Sequence, residues 1–123
     1  MIIGKLFTFD ASHMLPKHDG KCKNLHGHTY RCEVEVEGGI ISDPKSSSFG
    51  MVMDLARLKR IIDDVVIEKI DHTHLNDTLN EYPTAEKIAL WISSVVSRNL
   101  PIGVHLKRVV VWETPTSYAK VEL

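Results

Sequence analysis

Ile3, Phe7, Phe9, Ala11 and His13 share one parity and Thr8, Asp10 and Ser12 the other, so the opening segment from Ile3 to His13 predicts a strand whose apolar face ends at His13. A sharper alternation runs from Thr29 to Glu37, with Tyr30, Cys32, Val34 and Val36 on one face and Arg31, Glu33, Glu35 and Glu37 on the other. Gly38 to Gly50, with Gly-Gly, Asp-Pro and three consecutive serines, reads as a loop, and Met51-Val52-Met53 as a short extended lead-in to a helix. Asp54 is a good N-cap for that helix, which is expected over Leu55 to Lys69 from the stripe Leu55, Leu58, Ile61, Ile62, Val65 and Val66. A second helix is expected from Pro83-Thr84 to about Asn99, with Thr84 as cap and Glu86 at the positive end of the dipole. Leu100 to Gly103 breaks it, and His105 to Thr114 and Ser117 to Leu123 read as two strands around Pro115-Thr116. The order β-β-α-α-β-β predicts an α+β fold over 1–123: a four-stranded antiparallel sheet with two helices on one face. Such a sheet has exposed edges and an uncovered face, so the monomer reads as incomplete and a homo-oligomer is expected.

Composition narrows the function. The 123 residues carry 15 Lys and Arg against 16 Asp and Glu. No whole-molecule charge or basic block therefore points to nucleic acid or a membrane surface, and no apolar stretch is long enough to span a bilayer. The start runs straight into an alternating strand without the look of a secretion signal, which makes a cytoplasmic location the expectation. The two cysteines do not read as a staple, since Cys32 lies on the apolar parity of a strand and Cys22 in a loop.

Candidate chemistry concentrates in Cys22-Lys23-Asn24-Leu25-His26-Gly27-His28-Thr29-Tyr30. The i, i+2 spacing of His26 and His28 sends both imidazoles to one face of a strand, with no side chain at Gly27 between them. Antiparallel pairing with the first strand brings His13 beside them. Three histidines with no obvious fourth protein ligand describe a catalytic Zn2+ with an open position better than a closed structural site.

Phe9 to His13, Cys22 to Tyr30, Asp71 to Asn76, Pro83 to Glu86 and Glu113-Thr114 reproduce, in order, Phe-x-Ala-x-His, Cys-x3-His-Gly-His-x-Tyr, Asp-His-x-x-Leu-Asn, Pro-Thr-x-Glu and Glu-Thr. On these motifs the chain resembles the 6-pyruvoyl-tetrahydropterin synthase and 6-carboxy-tetrahydropterin synthase family along essentially its whole length. Ser12 stands where that family commonly has a second Ala.

The resemblance implies the tunnelling fold (T-fold), with subunits joined edge to edge, commonly as trimers stacked into hexamers with interfacial active sites. It implies 7,8-dihydroneopterin triphosphate as substrate and zinc on His13, His26 and His28. It also implies Cys22 as base, working with Asp71 and His72 of a neighbouring subunit. Glu113 is the expected pterin anchor, because a carboxylate can accept two parallel hydrogen bonds from the pterin's guanidine-like edge. Glu86, with the Thr84 region, resembles a second recognition element. Lys17, Lys21 and Lys23 surround the loop and can meet an anionic substrate. The short Cys-x3-His-Gly-His spacing resembles the carboxy-forming branch that feeds deazapurine (queuosine or archaeosine) synthesis, with 6-pyruvoyl formation as the alternative. A non-enzymatic zinc or pterin-binding protein is the reading from another class. An intact Cys22 and Asp71-His72 pair argues against it, since simple binding needs neither.

Overall fold

In the computed structural model, which describes residues 1–123, β1 (Ile2–His13) and β2 (His26–Gly38) pair antiparallel from Ile2↔Glu37 to His13↔His26. That register follows from the two alternations: Phe9, Tyr30, Cys32, Val34 and Val36 are all buried, and a shift of one residue would turn each strand's apolar set to water. β2 pairs in turn with β4 (Val104–Thr114), and β4 with β5 (Ser117–Glu122), both antiparallel.

The sheet has five strands, one more than the alternation predicts, and is mixed. A two-residue strand, β3 (Thr73–His74), pairs parallel to β1 at Ala11 and Ser12, giving the order β3-β1-β2-β4-β5. Two residues carry no periodicity to read, and the bridge depends on a tertiary contact, the His72 amide donating to the Asp10 carbonyl at 2.6 Å.

The long helices pack on one face, as expected. Asp54 caps α1 (Leu55–Ile62) by accepting from the Ala56 amide, a contact worth about 1 kcal/mol. Beyond Ile62 the helix widens into a π-turn over Asp63–Ile67, with the Glu68 amide bonded to the Asp63 carbonyl, before a last α-turn at Glu68–Ile70. The reason is visible in the spacing. Leu58, Ile62, Val66 and Ile70 are all at most 1% exposed, yet steps of four residues in an α-helix drift about 40° each. The wider turn counter-rotates the stripe and keeps all four residues on the sheet.

After the short α2 (Leu75–Thr78), α3 (Ala85–Ser97) buries Ala85, Ile88, Ala89, Ile92, Ser93 and Val96. Thr84 caps it by accepting from the Lys87 amide at 3.2 Å. Met51 to Met53 bends rather than extends, because Ile41 and Met51 close the preceding loop by a backbone hydrogen bond of 2.8 Å. No helix is long and apolar enough to cross a membrane.

The sheet face away from the helices is covered by charge and aromatics. Arg108 reaches Glu35 at 2.8 Å and Glu33 at 3.5 Å. Arg31 lies 4.7 Å from the Trp112 ring centroid, and Trp112 packs against Tyr118.

Candidate active site

His13 ends β1 and His26 begins β2, directly opposite each other, while His28 stands opposite the small Ala11. The three rings converge on the helix side of the sheet, with centroids 4.5 Å (His13 to His26), 5.2 Å (His13 to His28) and 5.0 Å (His26 to His28) apart. Gly27 between the last two avoids a tight contact, since a Cβ there would lie 3.2 Å from the Ala11 carbonyl oxygen.

Backbone carbonyls set the tautomers. His13 Nδ1 donates to the Pro83 carbonyl and His26 Nδ1 to the Asn24 carbonyl, each at 2.7 Å. A carbonyl can only accept, so both rings carry the proton on Nδ1 and a lone pair on Nε2, the arrangement typical of metal-ligating histidine. Nε2 of His26 and of His28 are buried with no hydrogen-bond partner. His28 Nε2 does lie 3.3 Å from Glu113 Oε1, but off the line of a hydrogen bond. Burial lowers the pKa of His13, against the Pro83 hydrogen bond and Glu113, and that of His28, against Glu113, which favours the neutral form of both.

Inward lone pairs on neutral imidazoles, those of the half-buried His26 and His28 orphaned and that of His13 fully buried, fit a divalent cation such as zinc. The Glu113 carboxylate joins the same group, with all four donor atoms within 4.8 Å of one another. Sequence reasoning found no fourth protein group near the histidines. β4 brings one because it pairs with the far side of β2. Beneath the rings, Tyr30 is fully buried, stacked on Phe9 at 4.7 Å, with its hydroxyl 3.4 Å from both His13 ring nitrogens. Burial raises the Tyr30 pKa, so the phenol stays protonated.

Asp71 and His72 sit at the β1 edge. His72 Nδ1 lies 3.0 Å from Asp71 Oδ1, so these adjacent residues do meet within one chain. His72 takes a left-handed backbone, φ 58°, unusual for a non-glycine residue. Asp71 Oδ1 also accepts from the Asp10 amide at 3.0 Å, and this bond, ahead of His72, holds its carboxyl below the ordinary range. His74 bridges to β1 and hydrogen-bonds Ser12 Oγ through Nδ1 at 2.9 Å. Asp10, Ser12, Gly27, Thr29, His72 and His74 line an open hollow of about 600 Å³.

Cys22 is half-buried in a 3-10 turn, Lys21–Lys23. It belongs to neither the imidazole cluster nor the Asp10, Asp71 and His72 group. Glu86 is exposed on the first turn of α3, near Tyr118 and Lys120 of β5, and Thr84 serves as the helix cap. Asn76, unassigned from the sequence, clamps the chain after His13: its amide accepts from the Met14 N–H at 2.9 Å and donates to the Met14 carbonyl at 2.8 Å. It lies within the Asp-His-x-x-Leu-Asn motif, as the Pro83 carbonyl lies within Pro-Thr-x-Glu. Those motifs were the available signal.

A three-imidazole cluster on a mostly antiparallel sheet backed by two long helices defines a class of α+β proteins with a candidate metal site. Within it, the family model described as 6-pyruvoyl tetrahydropterin synthase matches residues 2–123, and the chain belongs to that family. It is 44% identical over 120 residues, 97% of this chain and 91% of the relative, to the 6-carboxy-5,6,7,8-tetrahydropterin synthase of Synechocystis sp.. It is also 44% identical over 106 residues, 86% of this chain and 83% of the relative, to the dihydroneopterin monophosphate aldolase of Pyrococcus furiosus. Among solved structures, the Caenorhabditis elegans 6-pyruvoyl tetrahydropterin synthase superposes with a TM-score of 0.82 at 28% identity, covering 100% of this chain and 95% of that one. The T-fold follows.

Proposed function

We propose that this protein is a zinc-dependent lyase that converts 7,8-dihydroneopterin triphosphate and water to 6-carboxy-5,6,7,8-tetrahydropterin, acetaldehyde and triphosphate. We place it in the cytoplasm, in a deazapurine pathway of the queuosine type, as a homo-oligomer (trimer or hexamer) of one pterin synthase-like domain. The observation that carries the reading is the convergence of the His13, His26 and His28 imidazoles with two orphaned Nε2 atoms. Relatives named 6-carboxy-5,6,7,8-tetrahydropterin synthase, in Synechocystis and in Haemophilus influenzae, support a tetrahydropterin as the product class.

His13, His26 and His28 hold the metal as neutral ligands. A bound zinc acidifies the substrate's side-chain hydroxyls and the neighbouring C–H. Cys22 takes the carbon-bound proton. Asp71 fixes the His72 tautomer through Nδ1, which leaves Nε2 to exchange a proton with the substrate side chain. The His72 side chain is 77% exposed in the subunit, which suits a ring that serves a site completed by a neighbour's Cys22. Glu113 anchors the pterin edge, with Thr84 and Glu86 as a second recognition element.

Two other reactions fit the same groups. One is 6-pyruvoyl formation. The other is aldol cleavage of the monophosphate, favoured by the Pyrococcus relative, which has the same identity over a shorter span. The deciding experiment incubates zinc-loaded protein with 7,8-dihydroneopterin triphosphate and, separately, with the monophosphate, and identifies products by mass spectrometry. The carboxy product with acetaldehyde supports the proposal. A pyruvoyl product, or cleavage of the monophosphate alone, replaces it with the corresponding alternative, and binding without turnover leaves a non-enzymatic zinc or pterin-binding protein.

A further inference from the structure

We propose that Asp10 is a positioning residue for the Asp71-His72 pair, its carboxylate placed to stabilise positive charge on the His72 ring; this rests on the proton-exchange role of His72 proposed above. Asp10 holds the pair three ways. Its amide donates to Asp71 Oδ1 at 3.0 Å, and its carbonyl accepts from the His72 amide at 2.6 Å. Its carboxylate lies within 4.8 Å of the Asp71 oxygen and the His72 ring nitrogen. The two backbone bonds need only a peptide unit, which any residue but proline offers. The side chain is a separate matter. Two carboxylates this close repel each other, and Asp10 is held there by the Thr29 hydroxyl, which donates to its Oδ1 from the opposing strand.

The surroundings assign the charge to His72. On its own segment the ring faces Asp71, and His74 is tied to Ser12 at 2.9 Å. From β1 it faces Asp10. From β2, His28 also lines the hollow, Thr29 is neutral, and Arg31 is turned away onto Trp112. An imidazole that accepts a proton here becomes a cation between two anions, one bonded to Nδ1 and the other fixed by a neutral hydroxyl. In the isolated subunit Asp10 is exposed. Its effect therefore grows wherever a neighbouring surface excludes water from the hollow.

Asparagine separates charge from shape, because it accepts the same Thr29 bond and leaves the backbone clamp intact. Asp10→Asn is expected to keep its zinc and its KM for the pterin triphosphate to within about twofold, while kcat falls about tenfold; a positioned acid-base group supplies roughly 10²- to 10⁴-fold. A purely structural Asp10 would be rescued by asparagine and lost in Asp10→Ala, and wild-type kcat in Asp10→Asn overturns the proposal. A second measurement uses no substrate. The His72 ring resonances, followed by NMR against pH, are expected to titrate at lower pH in Asp10→Asn than in wild type, and an unchanged titration also overturns the proposal. A displaced titration in a protein that turns over no pterin substrate supports the role of Asp10 and rejects the assigned reaction. Should Asp10→Asn fail to fold, Thr29→Val, which removes the tether and keeps the charge, is expected to displace the titration in the same direction by less, and no displacement counts against the proposal.

Discussion

His13 and Pro83, seventy residues apart, meet at 2.7 Å through an imidazole N–H and a carbonyl oxygen. The bond locks the end of β1 to the approach of α3 and turns the His13 lone pair toward His26 and His28. The His13 imidazole is thus a fixed group rather than a mobile side chain.

His13→Ala, His26→Ala and His28→Ala are each expected to lose most bound zinc and at least about a hundredfold in turnover. Elemental analysis of the purified variants checks it. Full metal content in any of them excludes that residue as a ligand.

Glu113→Gln distinguishes a pterin anchor from a fourth metal ligand. As anchor, Glu113 contributes charge-assisted hydrogen bonds to substrate, so zinc stays and KM rises about tenfold or more. Loss of zinc from this variant would assign the carboxylate to the metal instead.

Acid should destabilise the metal-free protein in a defined direction. Burial sets the His13 and His28 pKa values below their ordinary 6.5, so the unfolded chain takes up protons first as pH falls. Their contribution is complete above the ordinary value, shrinks as pH drops through the window below it, and levels off once the folded rings also protonate. Thermal melts in chelator from about pH 8 to about pH 4 follow this. A melting temperature that rises on acidification through that window would contradict the burial argument.

Cys22→Ala is expected to keep zinc and bind pterin yet lose about a hundredfold or more in turnover. Mixed with inactive His72→Ala under conditions of subunit exchange, it should regain part of the activity, since some sites then carry both wild-type groups. No recovery, with exchange confirmed by native mass spectrometry, rejects a shared site.

Asn76→Ala removes both hydrogen bonds to the Met14 backbone and should lower stability by about 1–3 kcal/mol in denaturant melts. Because the clamp sits next to His13, zinc affinity should fall with it, whereas an unchanged stability would mean that water replaces both bonds.

The long strands and helices were legible because their alternation and stripes coincide with what the core buries. The convergence of His13 with His26 and His28 was legible for the same reason: strand parity and antiparallel pairing determine it. What escaped depends on contacts between distant segments. β3 exists through a bond from His72 to Asp10, Glu113 reaches the imidazoles by way of the β2–β4 pairing, and the carbonyls of Asn24 and Pro83 carry no side-chain signature at all. The π-turn did leave a trace, in the strict four-residue spacing of Leu58, Ile62, Val66 and Ile70, which drifts by about 40° at each step of an unbroken α-helix.

That widened turn also governs where the chain can change length during evolution. The loop after β2 can gain or lose residues with little effect on either cluster, since both of its ends are anchored independently. The widened turn already holds one residue more than an α-turn, so a deletion between Asp63 and Ile67 would restore a plain α-helix with Ile70 facing as it does, whereas one residue added there would rotate Ile70 and all that follows by about 100°. Asp71 would swing off the Asp10 amide while the three imidazoles stayed where they are. Insertions and deletions are therefore filtered unequally along the chain, and within this helix only the loss of one residue from the widened turn is absorbed without reorienting Asp71.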